Sequence, residues 1–281
     1  AEEYGRAFVF AWSRKAGAPV ICPGSSPVIL KKGGNMRTYK LTIAYDGTAY
    51  QGWQRQSNTE RTIQGILERC ISEQTGYPVE VNGSGRTDAG VHASGQSARG
   101  VLRGIAEAGF FTEKVNVGLP EDIRILGEEL VKNGFHARKS AAGKVYEYHV
   151  DINPKADVFT RRFCFHFPRE LDLDAMRKAA GYLTGSHDFA AYTDKKDEKS
   201  TKRMIYAIIV SGQGGRVMIR YEGTGFMYHM VRILTGTLLE AGSGQRSPES
   251  AAEALRSRDR QQAGFLAPAQ GLFLKEVRYR Q

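Results

Sequence analysis

Segments that alternate apolar and polar side chains recur along this chain, and the spacing between them permits hairpins more often than crossovers. Tyr39–Tyr45 and Lys144–Val150 alternate most cleanly and are rich in β-branched and aromatic residues, so each reads as a strand with one face toward a core. Val79–Val81, Gly95–Ala98 and Ile123–Leu126 read as further strands of the first half. Met204–Val210 and Val217–Tyr221 flank Gly212-Gln213-Gly214-Gly215 as a hairpin, and Leu272–Tyr279 is a closing strand. Helical periodicity is interleaved with these. Ile63, Ile66, Leu67, Cys70 and Ile71 form one helical face, ended by Gly76 and Pro78. Residues 103–112 read as weakly helical, and Asp172 opens a helix that Gly185 stops. Phe226–Leu239 reads as another helix, and Ser247-Pro248-Glu249 begins a last one. A parallel doubly wound sheet needs a crossover after each strand. This order instead predicts an α+β chain in two α+β halves.

Within that frame the chemistry concentrates in Asn82-Gly83-Ser84-Gly85-Arg86-Thr87-Asp88-Ala89-Gly90-Val91-His92, a loop joining two strands. Three glycines free the backbone for positive φ or close approach to a ligand. Between them stand two hydroxyls, one cation and one carboxylate, with an imidazole beyond. The bland alternative is a polar hairpin turn. A phosphate-binding loop would need a longer spacing ending in Gly-Lys-Ser/Thr, which is absent. The residue after Asp88 lacks the hydroxyl of an aspartic-protease site, and no nucleophile elbow is present. His92, His136 and His149 have no metal-ligand spacing, so no metal is expected. What remains is a lone carboxylate, Asp88, two residues from Arg86, able to act as a nucleophile or as an acid/base.

Charge narrows the partner. Forty Lys and Arg against thirty Asp and Glu leave a net charge of +10, which favours a polyanion, nucleic acid before an anionic membrane surface. No apolar run approaches the roughly 18 residues of a membrane span. Cys22, Cys70 and Cys164 lie far apart without a paired spacing, which suggests reduced thiols and a cytoplasmic protein. Tyr50-Gln51-Gly52-Trp53-Gln54-Arg55-Gln56 gathers aromatics, amides and Arg in a loop. Those groups suit base stacking and phosphate contacts, although Trp53 reads slightly better as a core anchor. Arg232, amid apolar neighbours, needs a carboxylate partner if its helix is buried. The Lys195–Arg203 run carries both signs and reads as a solvated loop.

Gly85-Arg86-Thr87-Asp88-Ala89-Gly90-Val91-His92-Ala93 resembles the signature of the TruA-type tRNA pseudouridine synthases. The similarity continues in family order through Tyr45-Asp46-Gly47, Gly52–Gln56, Phe135–Arg138, Lys144–Tyr148, Phe226–Arg232 and Gly271–Leu274. It therefore spans Met36 to about Tyr279. The resemblance implies the pseudouridine synthase fold, two similar α+β halves forming a continuous, mainly antiparallel sheet with a cleft between them. It implies isomerisation of uridine to pseudouridine at positions 38, 39 and 40 of the tRNA anticodon stem-loop, by a homodimer and without cofactor. Carried over, Asp88 is the catalytic carboxylate, Tyr146 stacks on the flipped uracil, and Arg232 pairs with Asp88. Arg86 helps to displace the flipped base, and Leu274 contributes to the apolar wall. His92 becomes a structural part of the loop. The boundaries expected are 36–139 for the half carrying the Asp88 loop and 140–281 for the half completing the cleft. Residues 1–35 read either as a translated leader ahead of an initiating Met36 or as a native extension.

Overall fold

The structure, a computed structural model, describes residues 35–195 and 200–280. The expectations for residues 1–35 and for the middle of the Lys195–Arg203 run therefore lie, apart from their edges, outside the described residues.

Among the described residues, ten strands form one sheet. They are β1 (Met36–Tyr45), β2 (Val81–Gly83), β3 (His92–Arg103), β4 (Ile123–Val131), β5 (Ala141–Asp151), β6 (Phe165–His166), β7 (Gly185–Asp188), β8 (Lys202–Gln213), β9 (Arg216–Gly223) and β10 (Leu272–Tyr279). The spatial order is β4-β1-β3-β10-β5-β9-β8-β7, with β2 added to β3 and β6 to β5. Only the β10/β3 and β5/β6 contacts are parallel; the other pairs are antiparallel. The fold is thus α+β with a continuous, mainly antiparallel sheet, as the strand pattern and the resemblance imply.

The last strand in sequence sits mid-sheet. β10 pairs with β5 along most of its length, but meets β3 only through Phe273 opposite His92 and Leu274 opposite Ala93. The two ends of the sheet are joined at that narrow seam, and the Asp88 loop ends there.

Among the described residues, five α-helices accompany the sheet: α1 (Ile63–Thr75), the single turn α2 (Asn116–Gly118), α3 (Leu173–Leu183), α4 (Met230–Gly242) and α5 (Ser250–Ser257). Local chemistry sets their ends. The Thr62 hydroxyl accepts from the Gly65 amide at 3.3 Å, and Gly76 closes α1 in the left-handed conformation at φ 73°. The Asp172 carboxylate accepts from the Asp174 and Ala175 amides at 2.9 and 3.0 Å, capping α3. Ile63, Leu67 and Ile71 of α1 are fully buried, as their spacing requires.

Four local expectations change. Residues 103–109 are not helical; β3 runs on to Arg103, and the helical turn begins only at Phe110, where Phe110 and Phe111 enter the core. The short strand expected at Val79–Val81 falls at Val81–Gly83. α3 ends at Leu183 with Thr184 extended, so Gly185 opens a strand rather than stopping the helix. α4 starts at Met230, not Phe226, because His229 stands at φ 62° and breaks the register. Apolar side chains at 226 and 227 mimic a helical face but belong to the loop before it.

Candidate active site

The loop between β2 and β3 is tied down from several sides. The Trp53 amide donates to the Thr87 carbonyl at 3.1 Å, and the Gly90 amide to the Tyr50 carbonyl at 3.3 Å. The Thr87 hydroxyl meets the Tyr45 hydroxyl at 2.8 Å, and the Gln96 amide donates to the Gly85 carbonyl at 3.0 Å. The 50–56 segment is thus a brace for the loop, and Trp53, 2% exposed, is a core anchor as its residue type suggested. The glycines serve this packing. Only Gly90 has positive φ, at 77°, and a Cβ on Gly83 would stand 2.6 Å from the Trp53 ring. The protein's own indole, rather than a ligand's backbone, makes the close approach at Gly83.

Asp88 emerges from this brace half-buried. Its Oδ2 accepts from the Arg232 Nη1 of α4 at 3.0 Å, and the Arg232 Nε donates to the Ala267 carbonyl at 2.7 Å. The strap carrying Ala267 can lie that close because α4 presents glycine at 236, where a Cβ would stand 1.9 Å from the Phe265 carbonyl oxygen. One guanidinium is thus anchored by backbone at one edge and spends the other on Asp88, which satisfies the charge of a largely buried Arg. Arg86, the nearer cation in sequence, is exposed and donates instead to Gln54 Oε1 at 3.0 Å.

A cavity of about 500 Å³ opens over Asp88. Tyr146 of β5 lines it, 7% exposed, its ring edge-on to Phe226 at 5.3 Å between centroids. Burial, together with nearby Tyr45 and Asp88, pushes the Tyr146 hydroxyl above the usual phenol range. It is a neutral hydrogen-bond donor at any working pH. Lys144, two residues back on the same face, also reaches the cavity and donates to the Ser84 carbonyl at 2.8 Å. Burial, then the neighbouring Arg138, lowers its pKa from 10.5 to about 8. Leu274 is fully buried, the cross-strand partner of Tyr146, and does not reach the cavity; Leu272, one alternation away on β10, does.

Charge in the cavity is one-sided. Arg86, Arg138, Lys144, Lys195, Arg203 and Arg232 line it, and among the described residues Asp88 is the only carboxylate that does. Polyanions fit such a wall.

His92 lies outside this cavity's lining. It is fully buried, accepts from the Gly47 amide at Nδ1 (3.0 Å), faces the Gln270 carbonyl at Nε2 (3.2 Å), and stacks on Phe273 at 4.7 Å. Burial pushes its pKa down, against the pull of Asp46. The neutral Nε2–H tautomer fits both contacts. His92 is therefore a rivet of the β3/β10 seam. The sequence did not single out His229 or Asp194. His229 Nε2 lies 3.6 Å from Asp88 Oδ2, and its Nδ1 lies 2.6 Å from Asp194 Oδ2. An imidazole beside Arg232 in a helix-like apolar pattern gave no signal of a carboxylate on either side.

Among the described residues no cluster of His, Cys, Asp or Glu could hold a metal ion, and no helix is long and apolar enough to cross a membrane. Cys70 and Cys164 are buried thiols.

A model of the tRNA pseudouridine synthase family matches residues 41–137 and 179–280. The chain is 42% identical over 245 residues to a tRNA pseudouridine synthase A of Bacillus sp. (strain KSM-64), covering 87% of this chain and all of the relative. It is equally similar, 42% over 245 residues with the same coverage, to a tRNA pseudouridine synthase A of Brevibacillus brevis. A tRNA pseudouridine synthase A 2 of Bacillus thuringiensis subsp. konkukian is 40% identical over the same length.

Proposed function

The chain belongs to the tRNA pseudouridine synthase family, and we propose that it isomerises its target uridines in tRNA with Asp88 as the one catalytic carboxylate. The activity is that of an isomerase: uridine in tRNA becomes pseudouridine. The bond from N1 to C1′ breaks, a bond from C5 to C1′ forms, the C5 proton is lost to solvent and N1 takes up a proton in its place. In our reading the targets are positions 38, 39 and 40 of the anticodon stem-loop, and the enzyme works as a homodimer.

The observation that carries this reading is the lone carboxylate in a cation-lined cavity, its Oδ2 held by Arg232. A stacked uridine must leave its helix before any group can reach C1′, at a cost of a few kcal/mol. Phosphate contacts from the lining cations other than Arg232 offset that cost. Once flipped, the uracil lies beside Tyr146 and Leu272, which offer a ring and an apolar wall. Asp88 then acts on the nucleotide, as nucleophile or as base at the sugar, while Arg232 fixes its orientation. Arg86, free of Asp88 and exposed at the cavity mouth, is placed to occupy the space the base vacates.

Asp88→Asn keeps the shape of the site and removes the carboxylate. It is expected to bind unmodified tRNA about as well as the parent protein while tritium release from C5-labelled tRNA ceases. Continued release from that variant would overturn the assignment of Asp88. Mapping the product to residues outside 38–40 would overturn the target.

A further inference from the structure

We propose that Gln54 and Gln64 are positioning residues for Arg86: a relay of two amides, fixed in polarity at the buried Glu68, that holds the guanidinium at the cavity mouth before a nucleotide arrives. The inference rests on the reading of Arg86 above, as the group that takes the space of the flipped base. The hydrogen bonds that carry it do not depend on that reading.

The relay starts in the interior. Gln64 and Glu68 of α1 are 6% and 5% exposed, and neither lines the cavity. Glu68 Oε1 accepts from the Val81 amide at 3.0 Å and from Gln64 Nε2 at 2.9 Å, and its Oε2 accepts from Arg55 Nη1 at 2.9 Å. Gln64 Nε2 also donates to the Val81 carbonyl at 3.1 Å, while Gln64 Oε1 accepts from the Arg55 amide at 2.9 Å. Gln54 Nε2 is the second donor to that oxygen, at 2.8 Å. Gln54 Oε1, at the outer end, accepts from Arg86 Nε at 3.0 Å. One continuous path thus runs from a strand amide to an exposed guanidinium.

Hydrogen-bond inventory fixes its direction. A backbone N–H can only donate and a backbone carbonyl can only accept. The Arg55 amide therefore requires oxygen on one edge of the Gln64 amide, and the Val81 carbonyl requires nitrogen on the other. Turning Gln64 over would break both and leave buried polar groups unpaired. With Gln64 Oε1 set, Gln54 must present its nitrogen inward, so its oxygen faces outward and takes a donor. Arg86 Nε is that donor. The backbone around Arg86 is held as well: the Ser84, Gly85 and Thr87 carbonyls accept from Lys144 Nζ, Gln96 Nε2 and the Trp53 amide. The freedom that remains at Arg86 is in its side chain, and the relay pins that side chain by Nε. Nη1 and Nη2 make no hydrogen bond or ion pair among the described residues, which leaves both for the RNA. A long side chain already held in its working direction loses less freedom on binding.

The test is single-turnover pseudouridine formation at saturating unmodified tRNA, with tRNA affinity measured alongside. It compares Gln54→Met, Gln64→Met, Arg86→Ala and the two double variants that include Arg86→Ala. Methionine keeps the length of each side chain and removes its hydrogen bonds. Each Gln variant should lower the rate roughly 10-fold and leave affinity within about two-fold. In the Arg86→Ala background both substitutions should be silent, because a group that acts only through Arg86 has nothing left to act on. Gln64 is too buried to touch RNA, so a slow Gln54→Met beside a parent-like Gln64→Met would mark a direct RNA contact by Gln54 and overturn the inference. Losses that multiply with that of Arg86→Ala would mark a general weakening of the brace and overturn it too. If Gln64→Met does not fold, the cycle between Gln54 and Arg86 decides alone. An Arg86→Ala protein as fast as the parent would fail the reading of Arg86 and the inference with it; a slow Arg86→Ala beside parent-like Gln variants would fail the relay alone.

Discussion

At the scale of single residues, the site separates charge from shape. Asp88 supplies charge and is held by a guanidinium whose other edge is tied to backbone, so its direction is set by α4 rather than by its own loop. Tyr146 supplies shape and one proton donor. Its hydroxyl is kept neutral by burial, and its ring is fixed edge-on by Phe226. Tyr146→Phe should therefore retain tRNA affinity, since ring and packing survive, while turnover falls by roughly 10²–10⁴-fold if the hydroxyl handles a proton. A tritium-release assay under saturating tRNA checks this, and unchanged turnover would leave the hydroxyl without a role.

At the scale of elements, β5 brings Lys144 and Tyr146 to one face by its two-residue period, placing a cation beside the stacking ring. The placement costs stability. With its folded pKa pushed down from 10.5 to about 8, Lys144 binds its proton less tightly in the folded chain than in the unfolded one. The unfolded chain holds more protons between those two values, so this group's contribution to stability rises with pH across that window. Below about pH 8 the burial penalty is felt in full. Lys144→Met should accordingly raise the urea midpoint at pH 7, and the gain should shrink as pH climbs from about 8 toward 10.5. The same variant should bind tRNA more weakly. A midpoint difference that does not vary with pH would show that the amine is not strained by burial.

At the scale of the whole molecule, the surplus of basic residues acquires a location. Among the described residues, six Lys and Arg side chains share one cavity with one carboxylate, at the seam where β10 joins the two ends of the sheet. If about five phosphates are neutralised, Arg232 being spent on Asp88, log affinity against log salt should fall with a slope of about −3.5 to −4.5. Filter binding of unmodified tRNA over a salt series checks this, with Asp88→Asn expected to give the same slope. A slope near zero would place the RNA elsewhere.

Much of this was legible in residue order. The alternating strands, the capped helices and the Asp88 signature are local patterns, and each is specified within about ten residues by side-chain period, turn chemistry or motif. That information determined an α+β chain and a mainly antiparallel sheet, and it pointed to Asp88 as the candidate carboxylate. Contacts between distant segments were not legible, because nothing local encodes them. Arg232 lies 144 residues from Asp88 and reaches it only because α4 and the 263–267 strap pack closely. His229 and Asp194 flank the same site only because a left-handed residue interrupts what reads as one continuous helix. Residue order alone singled out the carboxylate proposed for the chemistry. Only the tertiary structure decided what holds that carboxylate, because the holding groups come from segments that meet by packing and not by period.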